Sequence, residues 1–229
     1  MKTEIKPIAY IRTDFSSKFG IPRQSGLVDE LEATIVFESE YRNPDALRGI
    51  EEYSYLWLIW QFSECADKPW SPTVRPPRLG GNKRMGVFAT RSPFRPNSLG
   101  LSSVKLIGVE QTENDGFVLR VAGADLLDGT PIFDIKPYLA YVDSHSEASN
   151  GFALDEKSGS VKVEIENSLL EIIPEKKRNA LIAVLAQDPR PGYQDDSERI
   201  YGIEFSGFDV RFTVSETKLK VIEIKEIRS

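Results

Sequence analysis

The sequence has very little cysteine and histidine, and this scarcity excludes several chemistries. Its single cysteine, Cys65, can form neither an intrachain disulfide nor a zinc site built from several cysteines. Its single histidine, His145, would have to serve any serine or cysteine nucleophile alone. Because His145 lies in a polar stretch typical of a linker, we expect an activity that needs neither histidine nor a metal ion.

Long hydrophobic runs are also missing. No stretch approaches the roughly 20 apolar residues that span a bilayer, and the first residues mix charges among apolar side chains, unlike the core of a signal peptide. We therefore expect a cytoplasmic protein without membrane contact. The glycine patterns of P-loop proteins and Rossmann dehydrogenases do not occur either, which argues against both classes.

Acidic residues are missing from one long segment. Between Lys68 and Val109 there are eight basic residues and no acidic one, so the remaining chain holds 21 basic against 35 acidic residues. The overall net charge of -6 hides this segregation. A basic face on an acidic body favours a polyanionic partner, although a solvated basic surface is the simpler alternative.

Short apolar runs between turn residues predict a mainly β chain. The run 54–62 is almost continuously apolar, which fits a strand buried on both faces. Asn114-Asp115-Gly116 predicts the turn of a hairpin, and residues 44–52 suggest a short helix. The predicted strands are 4–12, 32–38, 54–62, 84–91, 99–110 and 116–124. Short strands with almost no amphipathic helix favour a small antiparallel-rich β-barrel, which we place at 1–145.

A second, smaller unit is predicted after a polar linker at about 143–160. It starts with a strand-like stretch, continues with a helix over 174–189 that begins near Pro174, and ends with a β pair at 201–214 and 219–227. We expect an α+β domain at 160–229, which makes the chain α+β overall. It is too small for a full core of its own and should pack on the first unit.

The stretch 75–101 is the most informative motif. It combines prolines, which fix a loop before a ligand binds, with glycines that permit close backbone approach and with arginines suited to phosphate or carboxylate. The alternative is a surface loop with arginine–carboxylate pairs. We favour a binding loop.

Two further motifs carry polar groups between apolar neighbours. Residues 125–138 place Asp125, Asp128 and Asp134 in an apolar run, where they could receive the ammonium or ribose hydroxyls of a cofactor, or merely shape turns. Residues 19–26 offer Arg23 and Gln24 on a loop stiffened by Pro22. By itself the motif at 19–26 is weak, and the motif at 125–138 leaves cofactor binding and turn formation equally open.

Taken together, these motifs resemble the TrmO (formerly YaeB) family. The likeness runs through residues 5–142 in four ordered motifs, and 184–193 and 201–214 extend it into the second unit. The family's members methylate N6 of threonylcarbamoyladenosine (t6A) at position 37 of tRNA, with S-adenosylmethionine (SAM) as methyl donor. The resemblance implies a barrel that binds SAM near a homodimer interface, and a tRNA partner held through its anticodon stem-loop.

The resemblance also implies which residues bind. The implied SAM contacts are Pro22, Arg23, Gln24, Ser63, Glu64, Arg91, Leu101, Asp125, Leu126, Leu127 and Asp128. Ser63 and Glu64 depart from the His-Gln pair of the family pattern. The implied tRNA contacts are Arg75, Arg78, Lys83, Arg84, Arg95, Asp188, Arg190 and Tyr193. For Asp188, an alternative role is to hold Arg190 or cap a turn. No catalytic proton acceptor is indicated.

Three alternatives remain at this level. The first is a non-catalytic tRNA-binding protein on the same scaffold, and the second is a SAM-dependent methylase of another RNA position. The third is a hydrolase of a phosphorylated small molecule, for which Asp125, Asp128 and Asp134 would supply metal ligands.

Overall fold

The computed structural model describes residues 4–79, 81–152, 161–190 and 196–227. The first unit contains β1 (Ala9–Arg12), β2 (Glu32–Phe37), β3 (Tyr55–Gln61), β4 (Thr73–Val74), β5 (Met85–Gly86), β6 (Leu99–Thr112), β7 (Gly116–Ala122), β8 (Thr130–Pro137) and α1 (Ala140–Asp143). The second contains β9 (Lys162–Glu164), α2 (Asn167–Leu170), α3 (Glu175–Ala186), β10 (Tyr201–Phe205), β11 (Phe208–Ser215) and β12 (Lys218–Glu226). The prediction of a mainly β chain is confirmed.

Six strands of the first unit pair side by side in the order β1-β2-β7-β6-β3-β8, and β8 returns to β1, so the sheet closes into a barrel. All of these pairs are antiparallel. The predicted hairpin is present as β6 and β7. Closure buries the inward side chains in one core, among them Ile11, Ile35, Leu58, Leu119 and Ile132.

Strand β3 differs from its prediction in one respect. Its burial alternates, with Leu56, Leu58 and Trp60 facing the core and Trp57 and Ile59 only partly buried. A strand in a barrel has one inner and one outer face, so the outward apolar residues of this run need another role.

Two predicted elements of the first unit are wrong, and in the second unit the strand predicted at 201–214 is the two strands β10 and β11. Residues 44–52 form two short 3-10 turns, Pro44–Leu47 and Ile50–Glu52, instead of one helix, because Gly49 adopts a left-handed conformation between them (φ 82°). The strand predicted at 84–91 is only the two-residue β5, which pairs with β4 and runs into a 3-10 turn at Val87–Ala89. Prolines nearby have no backbone N–H to donate, which prevents a longer ladder of hydrogen bonds between these strands.

The second unit is a four-stranded sheet in the order β10-β11-β12-β9, covered by α3. Helix α3 follows Pro174, as predicted. The core of the second unit includes Phe15, Val28 and Leu31, which lie in the connection between β1 and β2 of the barrel. The small unit thus completes its core with residues of the first unit. Among the described residues, no helix has the length and apolar character needed to cross a membrane.

Polar and van der Waals contacts also bind the β1–β2 connection to the second unit. Lys177 Nζ lies 2.6 Å from Asp14 Oδ2, and the Asp14 side chain is almost completely buried. Ser16 Oγ donates to Glu204 at 2.6 Å. Gly20 lies against Ile203, where an added Cβ would come within 2.9 Å of Ile203 Cγ2. The β1–β2 connection is therefore held from both units.

Candidate active site

A cavity of about 820 Å³ opens at one end of the barrel. Its walls come from the β1–β2 connection, the outer side of β3 and β6, the segment after β5, and the turn between β7 and β8. Nine of the eleven residues implied as SAM contacts line it: Pro22, Arg23, Gln24, Ser63, Glu64, Arg91, Leu101, Asp125 and Leu127. Residues from five separate parts of the chain thus converge on one site.

Two of the implied contacts do not line the cavity. Leu126 is 1% exposed and belongs to the barrel core. The Asp128 carboxylate accepts a hydrogen bond from the Thr13 backbone N–H at 2.8 Å. Asp128 thus shapes a turn, which is the structural alternative that its sequence context left open.

Asp125 is the partly buried carboxylate of the cavity. Burial raises its pKa above the ordinary value of 3.8, because an ionised carboxylate loses hydration there. Hydrogen bonds from the Ser102 hydroxyl and the Ser25 backbone N–H lower the pKa, as does the positive charge of Arg91, but burial has the larger effect. Such a carboxylate is suited to a cationic or hydroxyl-bearing ligand.

The β1–β2 connection brings further polar side chains to the cavity, next to Arg91. Arg91 donates to the Gln24 side-chain carbonyl, and Gln24 donates to the Arg23 backbone carbonyl. Arg23 in turn donates to the backbone carbonyl of Arg190 at 3.4 Å. This chain of contacts joins the cavity to the second unit.

Several cavity residues were not identified from the sequence. Trp57 and Ile59 supply an apolar wall from the outer face of β3, and Trp60 closes the inner end. The only sequence signal was the long apolar run 54–62, which a buried strand explains equally well. Apolar and aromatic side chains of this kind are the usual lining of small-molecule pockets.

The basic residues divide by exposure. Arg75, Lys83 and Arg84 are exposed to solvent on the segment that leads to the cavity. Arg95 is only partly exposed, because it donates to the Thr90 backbone carbonyl at 2.7 Å and lies 5.9 Å from the centre of the Phe88 ring. Arg95 therefore also stabilises its own loop. The side chain of Arg78 lies outside the described part of the structure.

In the second unit, Asp188 and Arg190 bind each other. Arg190 Nε and a terminal nitrogen lie 2.9 and 2.8 Å from the two Asp188 oxygens, a bidentate pair. Asp188 thus holds Arg190, the alternative that its sequence context had left open. Tyr193, the third residue implied here, lies outside the described residues.

The three aspartates considered as metal ligands do not converge. Asp128 is bonded to Thr13 as above, and Asp134 pairs with Lys136 at 3.1 Å. Across 4–79, 81–152, 161–190 and 196–227, no group of three or more His, Cys, Asp or Glu side chains is arranged to hold a metal ion. The geometry gives the hydrolase alternative no support.

Comparison with known proteins identifies the family. The family model described as the tRNA-methyltransferase O N-terminal domain matches residues 10–144, and the TrmO C-terminal domain matches 160–227. The chain belongs to the TrmO family. It is 40% identical over 230 residues to the Escherichia coli tRNA (adenine(37)-N6)-methyltransferase, covering 97% of each chain. It is 39% identical to a Pseudomonas aeruginosa protein named putative S-adenosylmethionine-dependent methyltransferase RcsF, covering 93% of each.

A solved structure extends this likeness to three dimensions. The crystal structure of TrmO from Pseudomonas aeruginosa superposes with a TM-score of 0.80 at 32% identity, covering 98% of this chain and 100% of that one. The resemblance predicted from the motifs is confirmed. In this TrmO chain, Glu64 forms an ion pair with Lys18, and both side chains line the cavity.

Proposed function

We propose that this chain methylates N6 of threonylcarbamoyladenosine at position 37 of tRNA, giving the N6-methylated t6A nucleoside. One observation carries the proposal: a single cavity gathers nine of the residues that the TrmO resemblance implies as SAM contacts. The named activity of the Escherichia coli relative, a tRNA (adenine(37)-N6)-methyltransferase, supports the position and the atom.

The cofactor is S-adenosylmethionine, and the cavity residues fit it. A volume of about 820 Å³ accommodates a nucleoside with an amino-acid tail. The Asp125 carboxylate would accept from its ammonium or ribose hydroxyls, Arg91 or Arg23 would bind its carboxylate, and Trp57 and Ile59 offer an apolar wall for the adenine. When bound, SAM supplies the methyl group carried on its sulfonium.

Positioning is the main catalytic contribution that the residues offer. Holding two reactants in line saves about 7–11 kcal/mol of a barrier, so transfer to N6 does not require a histidine. Hydrogen bonds already order polar side chains at the cavity, because Arg91 donates to Gln24 and Ser102 donates to Asp125. Such order before binding lowers the entropic cost of alignment.

We propose that tRNA binds across the basic segment beside the cavity. Arg75, Lys83 and Arg84 are exposed there and can contact phosphates, and the segment from 68 to 109 carries no acidic residue that would repel RNA. Phosphate contacts release counterions, so affinity should fall steeply with salt. We propose that the second unit assists tRNA binding by holding the Arg23 loop beside the cavity, through the contact of Arg23 with the Arg190 carbonyl.

We also propose that two copies associate through the outer side of β3 and β6. Tyr55, Leu101 and Ile107 are 40%, 57% and 50% exposed there, and Leu101 also lines the cavity. A second copy would cover these apolar side chains and the cavity mouth. Light scattering should report a dimer, and Ile107→Asp should shift it toward the monomer. A wild-type monomer at micromolar concentration would contradict this interface.

The decisive experiment is mass spectrometry of tRNA nucleosides after incubation with methyl-labelled SAM. We expect label in N6-methylated t6A when the tRNA carries t6A, no label when it lacks t6A, and loss of labelling with Asp125→Asn. Label on a different nucleoside would point to a methylase of another position. SAM and tRNA binding without any label would point to a non-catalytic binding protein.

A further inference from the structure

The indole of Trp60 on β3 lies across β6 at Gly100, a position without a side chain. Trp60 pairs in register with Gly100, and Ser102 is two residues further along β6, opposite Leu58. A Cβ on Gly100 would lie 2.3 Å from Cε2 of Trp60. The indole therefore lies directly on the Gly100 backbone, a position that any side chain would block. This lets its N–H reach Ser102 diagonally across the ladder.

A largely buried chain of hydrogen bonds links this indole to Asp125, the carboxylate that lines the cavity. Trp60 Nε1 lies 3.0 Å from Ser102 Oγ, which lies 2.6 Å from Asp125 Oδ1. Ser102 is 2% exposed and Trp60 is 6% exposed, so water competes little for these groups. Asp125 and Trp60 line the cavity, whereas Ser102 does not.

The direction of this chain is fixed by chemistry. An indole N–H can only donate, and an ionised carboxylate can only accept. The Ser102 hydroxyl between them therefore accepts a hydrogen bond from Trp60 and donates its own O–H to Asp125. Polarised by the indole, the hydroxyl becomes a better donor. The arrangement favours the ionised carboxylate and fixes one of its oxygens.

Burial acts in the opposite sense on the same carboxylate. It raises the pKa of Asp125, whereas the Ser102 hydrogen bond is the largest of the influences that lower it. The Ser25 N–H and the charge of Arg91 from the facing loops act in the same direction as Ser102. The other charged residues lining the cavity are Lys18, Arg23, Glu64 and Arg95.

We propose that Trp60 and Ser102 are positioning residues that keep the Asp125 carboxylate ionised and oriented toward the cofactor. The proposal rests on the proposed function, because it assumes that Asp125 accepts a hydrogen bond from SAM. Neither residue belongs to the contacts implied by the TrmO motifs. Both act through Asp125, and Gly100 is the position that permits their geometry.

The test is calorimetric titration of SAM into the apoprotein between about pH 5 and pH 8. Affinity of the wild type should fall as the pH is lowered and Asp125 takes up a proton, because the burial that raises its pKa favours the protonated form. Ser102→Ala should weaken binding by about ten- to a hundredfold at neutral pH, the range for a hydrogen bond to a charged group. It should also move the fall in affinity to higher pH. Trp60→Phe should move it less in the same direction.

Two variants separate positioning from folding. Ser102→Thr keeps the hydroxyl and should restore both affinity and pH dependence. Ser98→Ala removes another buried serine hydroxyl, one that faces the Cys65 carbonyl at 3.4 Å, and should leave both unchanged. Thermal melting of each variant shows whether it is folded.

Each outcome decides the proposal. An upward shift of the pH profile in Ser102→Ala, rescued by Ser102→Thr, supports it. Unchanged affinity and pH profile in Ser102→Ala, with normal binding by the wild type, overturns the positioning role and leaves the proposed function standing. An equal loss in Ser98→Ala overturns it as a general packing effect. No SAM uptake by the wild type overturns the proposed function and the positioning role together.

Discussion

Phe15→Ala tests whether the two units share one core. Phe15 lies in the β1–β2 connection, is 1% exposed, and packs edge-on against Phe205 of the second unit with ring centres 5.8 Å apart. The same connection carries Pro22, Arg23 and Gln24 to the cavity. Removing the ring should therefore loosen both the second unit and the cofactor loop.

The expected loss of unfolding free energy is about 3–5 kcal/mol, the range for truncating a buried phenylalanine to alanine. Within that loss, the edge-on ring pair accounts for about 0.5–1.5 kcal/mol beyond simple burial. Because the cavity end of this connection is held by the same packing, SAM affinity should fall as well.

Urea unfolding followed by circular dichroism measures the effect. We expect a lower midpoint at an unchanged slope, with a single transition for both units. Phe88→Ala is the matched control, since Phe88 is 74% exposed and its contact with Arg95 amounts to about 1 kcal/mol at most. A loss below about 1 kcal/mol in Phe15→Ala, or equal losses in both variants, would refute the shared core.

Three further predictions follow from single positions. Asp125→Asn should abolish SAM affinity yet raise the melting temperature of the apoprotein at neutral pH, and a lower melting temperature would contradict this. Folding raises the pKa of Asp125, so the ionised carboxylate lowers the stability of the folded protein once the pH exceeds the unfolded pKa. The increase in melting temperature of the variant over the wild type should therefore shrink as the pH falls through the folded pKa. Gly100→Ala should cost about 1–3 kcal/mol by displacing Trp60, whereas Gly108→Ala on the same strand, where the nearest atom to an added Cβ lies 3.8 Å away, should cost little; equal costs would argue against the close contact. Lys83→Ala should reduce the log–log salt slope of tRNA binding by about one, and an unchanged slope would remove Lys83 from the interface.

Much of the fold was predictable because its signals are local. The β6–β7 hairpin follows from apolar alternation around Asn114-Asp115-Gly116, and helix α3 follows from Pro174 and the run behind it. The failures were local too. The predicted helix at 44–52 breaks at Gly49, which adopts a left-handed conformation between two 3-10 turns. A glycine permits such a conformation but does not require it.

The sequence by itself determined the family, the mainly β class and the segregated basic segment, because motifs and charge are properties of residue order. Only the tertiary structure decided which carboxylate enters the cavity and which shapes a turn. Asp125 and Asp128 are three residues apart, yet Ser102 faces one and Thr13 binds the other. Those partners lie 23 and 115 positions away along the chain and meet through barrel closure and strand register, which no local pattern encodes.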